Sequence, residues 1–311
     1  MISSLLGSMS ADLLIPKDRL DYLLRSAPYR YKVYQIPKRS GSGTRTIAQP
    51  AKEVKSLQYW VIKNIYPFFP IHPSATAYTI GKSILKNSEA HATKPYLLKL
   101  DFKDFFPSIT GNDFLQYSKN IKQLALSDRD LRLLMRLLFW LSERNYDFRL
   151  SIGAPTSPFL SNAIMYQFDQ VVFDYCNERN ISYTRYADDM AFSMHNIKMR
   201  SEVLEMVQNT LTSLPFPKLQ LNHKKTIFGS KAHRRIVTGL VLSNNDTVSL
   251  GREKKRRIRA QIHHLLLGRL DNKEISKLKG MLAFAHDIEP AFVERMVEKY
   301  GEKVIKSLRS A

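Results

Sequence analysis

The chain has 311 residues, a length that suits about two structural units of roughly 150 residues each. A hydrophobic content of 44%, with 16 Phe and 15 Tyr, is enough for a buried core and excludes a mostly disordered chain. Lys and Arg number 48 against 28 Asp and Glu, a formal charge of +20 that points to a polyanionic partner, nucleic acid first, while the single Cys176 excludes a disulfide framework or multi-cysteine zinc site.

The apolar patches near the start are broken by Ser and Asp12 and follow no basic segment, so no export signal is expected. Residues 131–141 carry Arg132 and Arg136 and are too short to span a bilayer. A soluble, cytoplasmic protein is the expectation. Leu13, Leu20, Leu23 and Leu24 predict a helix over 12–27. Alternation through 31–36, then Ser40-Gly41-Ser42-Gly43, predicts a β-hairpin over 31–50. Val54, Leu57, Val61 and Ile65 predict a helix over 51–66, and Lys94-Pro95 precedes a strand over 96–100. A helix with a Ser127 N-cap is expected over 127–145, and another over 159–178 after the Gly/Pro-punctuated segment 153–158. Strands over 182–187 and 190–194 flank Asp188-Asp189 as a tight hairpin. A helix over 199–213 and strands near 218–228 and 235–242 come next, and from about 251 the chain reads as wholly helical. Trp60 and Trp140 read as core residues on helical faces. The mixture is α+β with a helical tail.

Carboxylates stand at the ends of apolar strands. Asp101 closes Leu97-Leu98-Lys99-Leu100, and Asp188-Asp189 sits at a hairpin tip between Tyr186-Ala187 and Met190-Ala191-Phe192. Lost hydration and mutual repulsion there need a compensating cation. If the two strands are neighbours, Asp101 and Asp188 can hold two Mg²⁺ ions ~4 Å apart, one activating an attacking hydroxyl and the other stabilising a leaving pyrophosphate. An ordinary acidic turn is the alternative. Between Lys218 and Arg259, 12 Lys and Arg face two acids, an excess of ten in 42 residues.

Tyr186-Ala187-Asp188-Asp189 resembles motif C of reverse transcriptases, and other blocks of that family stand in order. Residues 100–109, Leu-Asp-Phe-Lys-Asp-Phe-Phe-Pro-Ser-Ile, resemble motif A. Gly153-Ala154-Pro155-Thr156-Ser157-Pro158, then Asn162, resembles motif B, with Ile152 where the family often has Gln. Leu221-Asn222-His223-Lys224-Lys225-Thr226 resembles motif D. Within the family the chain looks like the retron type: Asn87-Ser88-Glu89-Ala90-His91 resembles its NAxxH block, and Val237-Thr238-Gly239 matches its VTG triplet.

The resemblance implies a right-hand polymerase: fingers over 1–95, a palm over 96–247 with an insertion near 110–152, and a helical basic thumb over 248–311. It implies RNA-directed DNA polymerisation with two Mg²⁺ ions, Asp101 and Asp188 as primary metal ligands, the Phe102 carbonyl assisting, and Asp189 in a secondary role. Phe106 would be the ring beneath the incoming sugar. Lys38 and Arg45 would grip the triphosphate of a deoxynucleotide, with Arg39 an alternative to Lys38. Gly153 would permit close backbone approach, and Lys225, or its neighbour Lys224, would protonate the pyrophosphate. Asn87, His91, Val237, Thr238 and Gly239 are expected to contact RNA. So are Lys254, Lys255, Arg256, Arg257 and Arg259, on a helix whose Ile258, Ile262, Leu265 and Leu266 form its apolar face. His91 and His223 lack a second ligand at metal-binding spacing, so a hydrogen-bonding or RNA-contacting role is expected of them. The retron type further implies a structured noncoding RNA partner, priming from a 2′-hydroxyl to give branched RNA–DNA, and an effector protein in phage defence. A group II intron or diversity-generating enzyme, or an RNA-binding scaffold on the same fold, are the alternatives.

Overall fold

The computed structural model describes residues 4–38, 43–119, 121, 124, 126–142 and 147–309. Helix α1 (Leu5–Leu13) opens on the Ser4 hydroxyl, which accepts from the Gly7 amide, and closes at Leu14 in the left-handed region. Helix α2 (Lys17–Ser26) starts anew after Pro16. The single helix expected over 12–27 is therefore two, because the residue before a proline is pushed out of the helical region. Strands β1 (Tyr31–Pro37) and β2 (Thr44–Pro50) pair antiparallel with Tyr34 opposite Ile47. The expected turn at Ser40-Gly41-Ser42, with Arg39, lies outside the described residues. Helix α3 (Lys52–Asn64) buries Val54, Leu57, Trp60 and Val61. Helix α4 (Ile84–Glu89) is capped by Ser83, and strand β3 (Tyr96–Asp101) follows.

Helices α5 (Phe105–Ser108) and α6 (Gly111–Ser118) come next, the latter on a Thr110/Asp113 capping box. Helix α7 (Asp128–Leu138) starts at the Ser127 cap but stops seven residues short of the expected end. Its buried stripe ends with Leu137 and Leu138, and Phe139 turns extended into strand β4 (Trp140–Ser142), paired with β5 (Asp147–Arg149). Trp140 thus lies on a strand rather than a helical face. The expected helix over 159–178 is split at Met165 into α8 (Ser157–Ile164) and α9 (Tyr166–Glu178). Strands β6 (Ser182–Tyr186) and β7 (Asp189–Met194) form the expected hairpin, and α10 (Met199–Ser213) follows.

No continuous strand occupies 218–228. Leu221 makes an isolated bridge to Phe102, His223–Lys225 forms a 3-10 turn, and strand β8 (Ile227–Ser230) comes after. The expected strand over 235–242 is a hairpin, β9 (Arg235–Val237) and β10 (Leu240–Leu242). Thr238 and Gly239, at φ 45° and 81°, make the two-residue turn that positive φ at both positions favours. Strand β11 (Val248–Ser249) precedes the helical tail of α11 (Arg252–Leu266), α12 (Asn272–Ile288), α13 (Pro290–Tyr300) and α14 (Glu302–Arg309).

The principal sheet has the order β6-β7-β3-β8, and a second sheet the order β11-β10-β9. Contacts group the chain into two compact units, each assembled from three stretches. One is Met1–Gly81, Lys99–Met190 and Lys198–Ile227; the other is Lys82–Leu98, Ala191–Ile197 and Phe228–Ala311. In the first unit Phe114 lies against Phe69 and Phe139. In the second, Ile258, Ile262, Leu278, Leu282, Phe292 and Met296 form the core of the helical tail. Among the described residues no helix is long and apolar enough to cross a membrane.

Candidate active site

Asp101 ends β3 and is 4% exposed; Asp189 begins the adjacent strand β7, and Asp188 sits in the turn before it. The turn is formed by Ala187 in the left-handed region at φ 57°. The Phe102 amide donates to the Asp188 carbonyl at 3.1 Å, so the backbones carrying the two carboxylates touch. The strand adjacency on which the two-carboxylate reading depends is present.

A third segment closes on the same point. The Lys103 amide donates to the Gln220 carbonyl at 2.9 Å, and the Asn222 amide to the Asp101 carbonyl at 2.7 Å. These bonds bring Lys225 Nζ to 2.9 Å from Asp101 Oδ2, while Asn222 Nδ2 reaches Oδ1 at 3.3 Å. Of the two lysines considered, both exposed, Lys225 is the one whose ammonium reaches Asp101. Burial works against the Lys225 charge, but the hydrogen bond to Asp101 and its negative charge outweigh it and raise the pKa. Burial, then the charge of Asp101, raises the Asp188 carboxyl above the ordinary range. Asp189 is also raised, by burial and by Asp188 and Asp101, with Lys99 opposing. Three acids thus crowd one spot and draw in an ammonium group.

Among the described residues no three His, Cys, Asp or Glu side chains form a ready cage for a metal. The donor set still suits Mg²⁺, which prefers hard oxygen ligands and commonly takes one or two carboxylates, with water and substrate phosphates completing its shell. The Phe102 ring is buried, stacked 5.4 Å from Phe105, so only its backbone is available to such an ion. Phe106 is half-buried, its ring 5.4 Å from that of Phe105. Arg45, exposed on β2, is close enough to lower the Asp188 pKa against the other influences. Lys38 is exposed at the end of β1, its amide donating to the Gly43 carbonyl at 3.0 Å. Gly153 has φ 128°, and a Cβ there would lie 3.0 Å from the Ala48 carbonyl oxygen. The close approach that glycine allows is thus made by strand β2, whose Ala48 amide donates to the Ile152 carbonyl at 3.0 Å.

Sequence reasoning missed what holds the turn. Arg185, fully buried, donates to both carboxylate oxygens of Asp169 at 2.8 and 2.5 Å, to Asn162 Oδ1 at 3.1 Å and to the Ala187 carbonyl at 3.1 Å. Asn162 in turn donates to the Ala77 carbonyl at 2.7 Å, and the Tyr183 hydroxyl to Asp169 at 2.7 Å. The available signal was Asp169, an acid within the apolar stripe of Phe168, Val172 and Cys176 on α9. A carboxylate on a buried face needs a cationic partner.

The residues expected to contact RNA divide by exposure. Asn87, His91 and Val237 are 2%, 0% and 1% exposed. Their burial overturns the expected direct RNA contact: these side chains pack inside the protein. Ser88 Oγ donates to the Val237 carbonyl at 3.0 Å, Asn87 Nδ2 lies 3.5 Å from Thr238 Oγ1, and His91 Nδ1 pairs with Ser193 Oγ at 2.9 Å. Lys254 donates to the Gly239 carbonyl at 2.7 Å, and Lys255 pairs with Glu289 at 2.6 Å. Those two lysines, expected on a solvated RNA face, are engaged within the protein, whereas Arg256, Arg257 and Arg259 are exposed. The Arg259 guanidinium also lies 5.4 Å from the centre of the Phe292 ring.

Burial, then the charge of Lys94, pushes His91 down to about 3. An unfolded histidine takes a proton near pH ~6.5. Stability from neutral His91 is therefore present above ~6.5 and lost as pH falls toward 3. His91→Gln should flatten the acid side of a melting-temperature profile below pH ~6; an unchanged slope would show that other groups set it.

Residues 36–257 match the family model described as reverse transcriptase (RNA-dependent DNA polymerase). The chain belongs to the reverse transcriptase family and has its right-hand polymerase fold. Its place is among the retron reverse transcriptases. It is 42% identical to the retron Ec83 reverse transcriptase of Escherichia coli over 93% of each chain. To the Ec86 enzyme of that organism it is 31% identical over 98% of this chain and 93% of that one, and to the Ec73 enzyme 33% identical over 97% and 96%. Among solved structures, telomerase from Candida albicans in complex with a fragment of telomeric RNA aligns with 98% of this chain and 58% of its own, at 12% identity and a TM-score of 0.49.

Proposed function

We propose that this RNA-directed DNA polymerase joins deoxynucleotides at Asp101 and Asp188 and that its template is a structured noncoding RNA. The observation carrying the reading is the convergence of Asp101, Asp188, Asp189 and Lys225 from three separated segments. Asp101 and Asp188 would hold two Mg²⁺ ions, with Asp189 and the Phe102 carbonyl assisting. When bound, the ions supply activation of the primer hydroxyl and stabilisation of the pyrophosphate. Lys225, already paired with Asp101, can turn its ammonium to the departing pyrophosphate and donate a proton. Arg45 and Lys38 face the triphosphate as cations, Arg45 as the bidentate fork. Gly153 sets the backbone beside β2. Arg256, Arg257, Arg259 and the Thr238-Gly239 turn offer phosphate and backbone contacts to RNA, whose A-form duplex is read by shape.

The likeness to retron enzymes extends the reading to priming from a 2′-hydroxyl of the RNA, a branched RNA–DNA product, and a place beside an effector protein in phage defence. Sequencing the nucleic acid that copurifies with the intact protein tests this. The expected product is DNA still joined to RNA after denaturation, and RNase should leave a residual branch nucleotide. DNA carrying no joined ribonucleotide would overturn the priming mode.

Phe106 is proposed as the ring that excludes a 2′-hydroxyl. Phe106→Val should raise ribonucleotide incorporation relative to deoxynucleotide by about 10²-fold, a loss of roughly 2–3 kcal/mol of discrimination. Equal selectivity in single-nucleotide extension would return Phe106 to a packing role.

A further inference from the structure

Four arginines line one concavity to which none of Asp101, Asp188 and Asp189 contributes. A cavity of about 350 Å³ is lined by Arg25 of α2, Arg129, Arg132 and Arg136 of α7, and Leu133. One carboxylate answers them: Asp21 bonds Arg25 at 2.7 Å and Arg129 at 3.2 Å. Arg136 has a structural task, donating twice to the Arg25 carbonyl at 3.0 and 2.6 Å and lying over the Tyr29 and Phe148 rings. The Arg132 side chain is exposed and makes no hydrogen bond or ion pair to the protein among the described residues. Four cations against one anion repel one another, and an anion in the concavity relieves that repulsion.

We propose that this concavity is a second nucleic-acid contact, which grips the phosphodiester backbone of a strand. Guanidinium forks match phosphate oxygens bidentately. Among the described residues that line it, four of five end in a guanidinium, a charge that an apolar ligand would leave unanswered. Openness favours a strand over a small phosphate: the Arg25 and Arg129 side chains are 62% and 66% exposed, so a bound anion stays half in water. A polymer passing across the surface meets that condition, and its neighbouring phosphates multiply the weak individual contacts. Contacts from these guanidiniums to phosphate oxygens carry no sequence information, so a grip on the backbone is independent of sequence.

The test uses the full chain with a labelled oligouridine of about 20 nucleotides and an RNA–DNA hybrid of similar length, titrated by fluorescence polarisation across KCl concentrations. Arg129→Ala with Arg132→Ala should weaken binding of the single strand about tenfold and make log K against log salt shallower by about 1, as expected when one or two phosphate contacts are lost. Lysine at both positions should restore most of the slope. Arg132→Ala alone, which removes no partner, should show the same trend and keeps the test valid if the pair is unstable. Extension at saturating template-primer should be unchanged. Unaltered affinity and slope on both probes overturn the proposal, and so does a fall in saturated extension, which would put the arginines in the catalytic machinery. Protection of Arg132 from phenylglyoxal by pyrophosphate but not by the oligonucleotide would mark a small-anion site and overturn it too.

Discussion

Asp188→Asn should abolish nucleotide addition while making the folded protein harder to melt at neutral pH. The loss follows from removing one of the two carboxylates proposed to hold the metals. Several kcal/mol of transition-state stabilisation go with it, at least about 10³-fold in rate. The gain in stability follows from the crowding. Burial and the charge of Asp101 raise the Asp188 pKa in the folded state, so the folded protein holds that proton to higher pH than the unfolded chain does. Such a group favours folding below its unfolded value, near ~3.9, and disfavours it once pH rises through the folded value. At pH ~7 the ionised carboxylate is a cost that the neutral amide removes. Melting curves without added divalent metal should show the variant above the parent at pH ~7 and level with it near pH ~3. Primer extension checks the rate; a variant that extends at the parental rate would remove Asp188 from the chemistry.

Arg185→Met should destabilise the protein by about 3–5 kcal/mol, because it leaves the Asp169 carboxylate buried without its partner. Arg185→Met combined with Asp169→Leu should recover most of that stability, since an apolar pair of similar volume can replace a buried ion pair. Activity should not return with it. The guanidinium also holds the Ala187 carbonyl and Asn162, and Ala187 is the residue whose left-handed backbone aims Asp188. The double variant is therefore expected to fold, to bind deoxynucleotide with a similar KM, and to show a kcat lower by about 10²-fold, as for a displacement near 1 Å at the reacting groups. Urea titration and steady-state kinetics on the same preparations separate the two effects. Recovery of both stability and kcat would assign Arg185 to packing alone.

Periodicity located the hairpin over 31–50, the helix over 199–213 and the helical tail, because in those stretches local pattern and tertiary packing agree. It failed where a tertiary partner claimed the chain. Phe139 and Trp140 leave the helical path of α7 for the short pairing with β5. Leu221 is held by a single bridge to Phe102 instead of a strand. The basic run on α11 was visible as charge, but whether each cation faces water depends on neighbours far along the chain. Glu289 takes Lys255 and the Gly239 carbonyl takes Lys254, and no local pattern records either choice.

The residues alone determined the family, the three acids and the positive charge, since each depends on side-chain identity at short spacing. Only the folded chain decided that Lys225 and not Lys224 meets Asp101, that a buried arginine anchors the turn behind Asp188, and that arginines from two helices share one concavity. Those outcomes are distances between segments 16 to 124 residues apart in the chain. Such distances are set by how strands and helices pack, which a one-dimensional pattern does not contain.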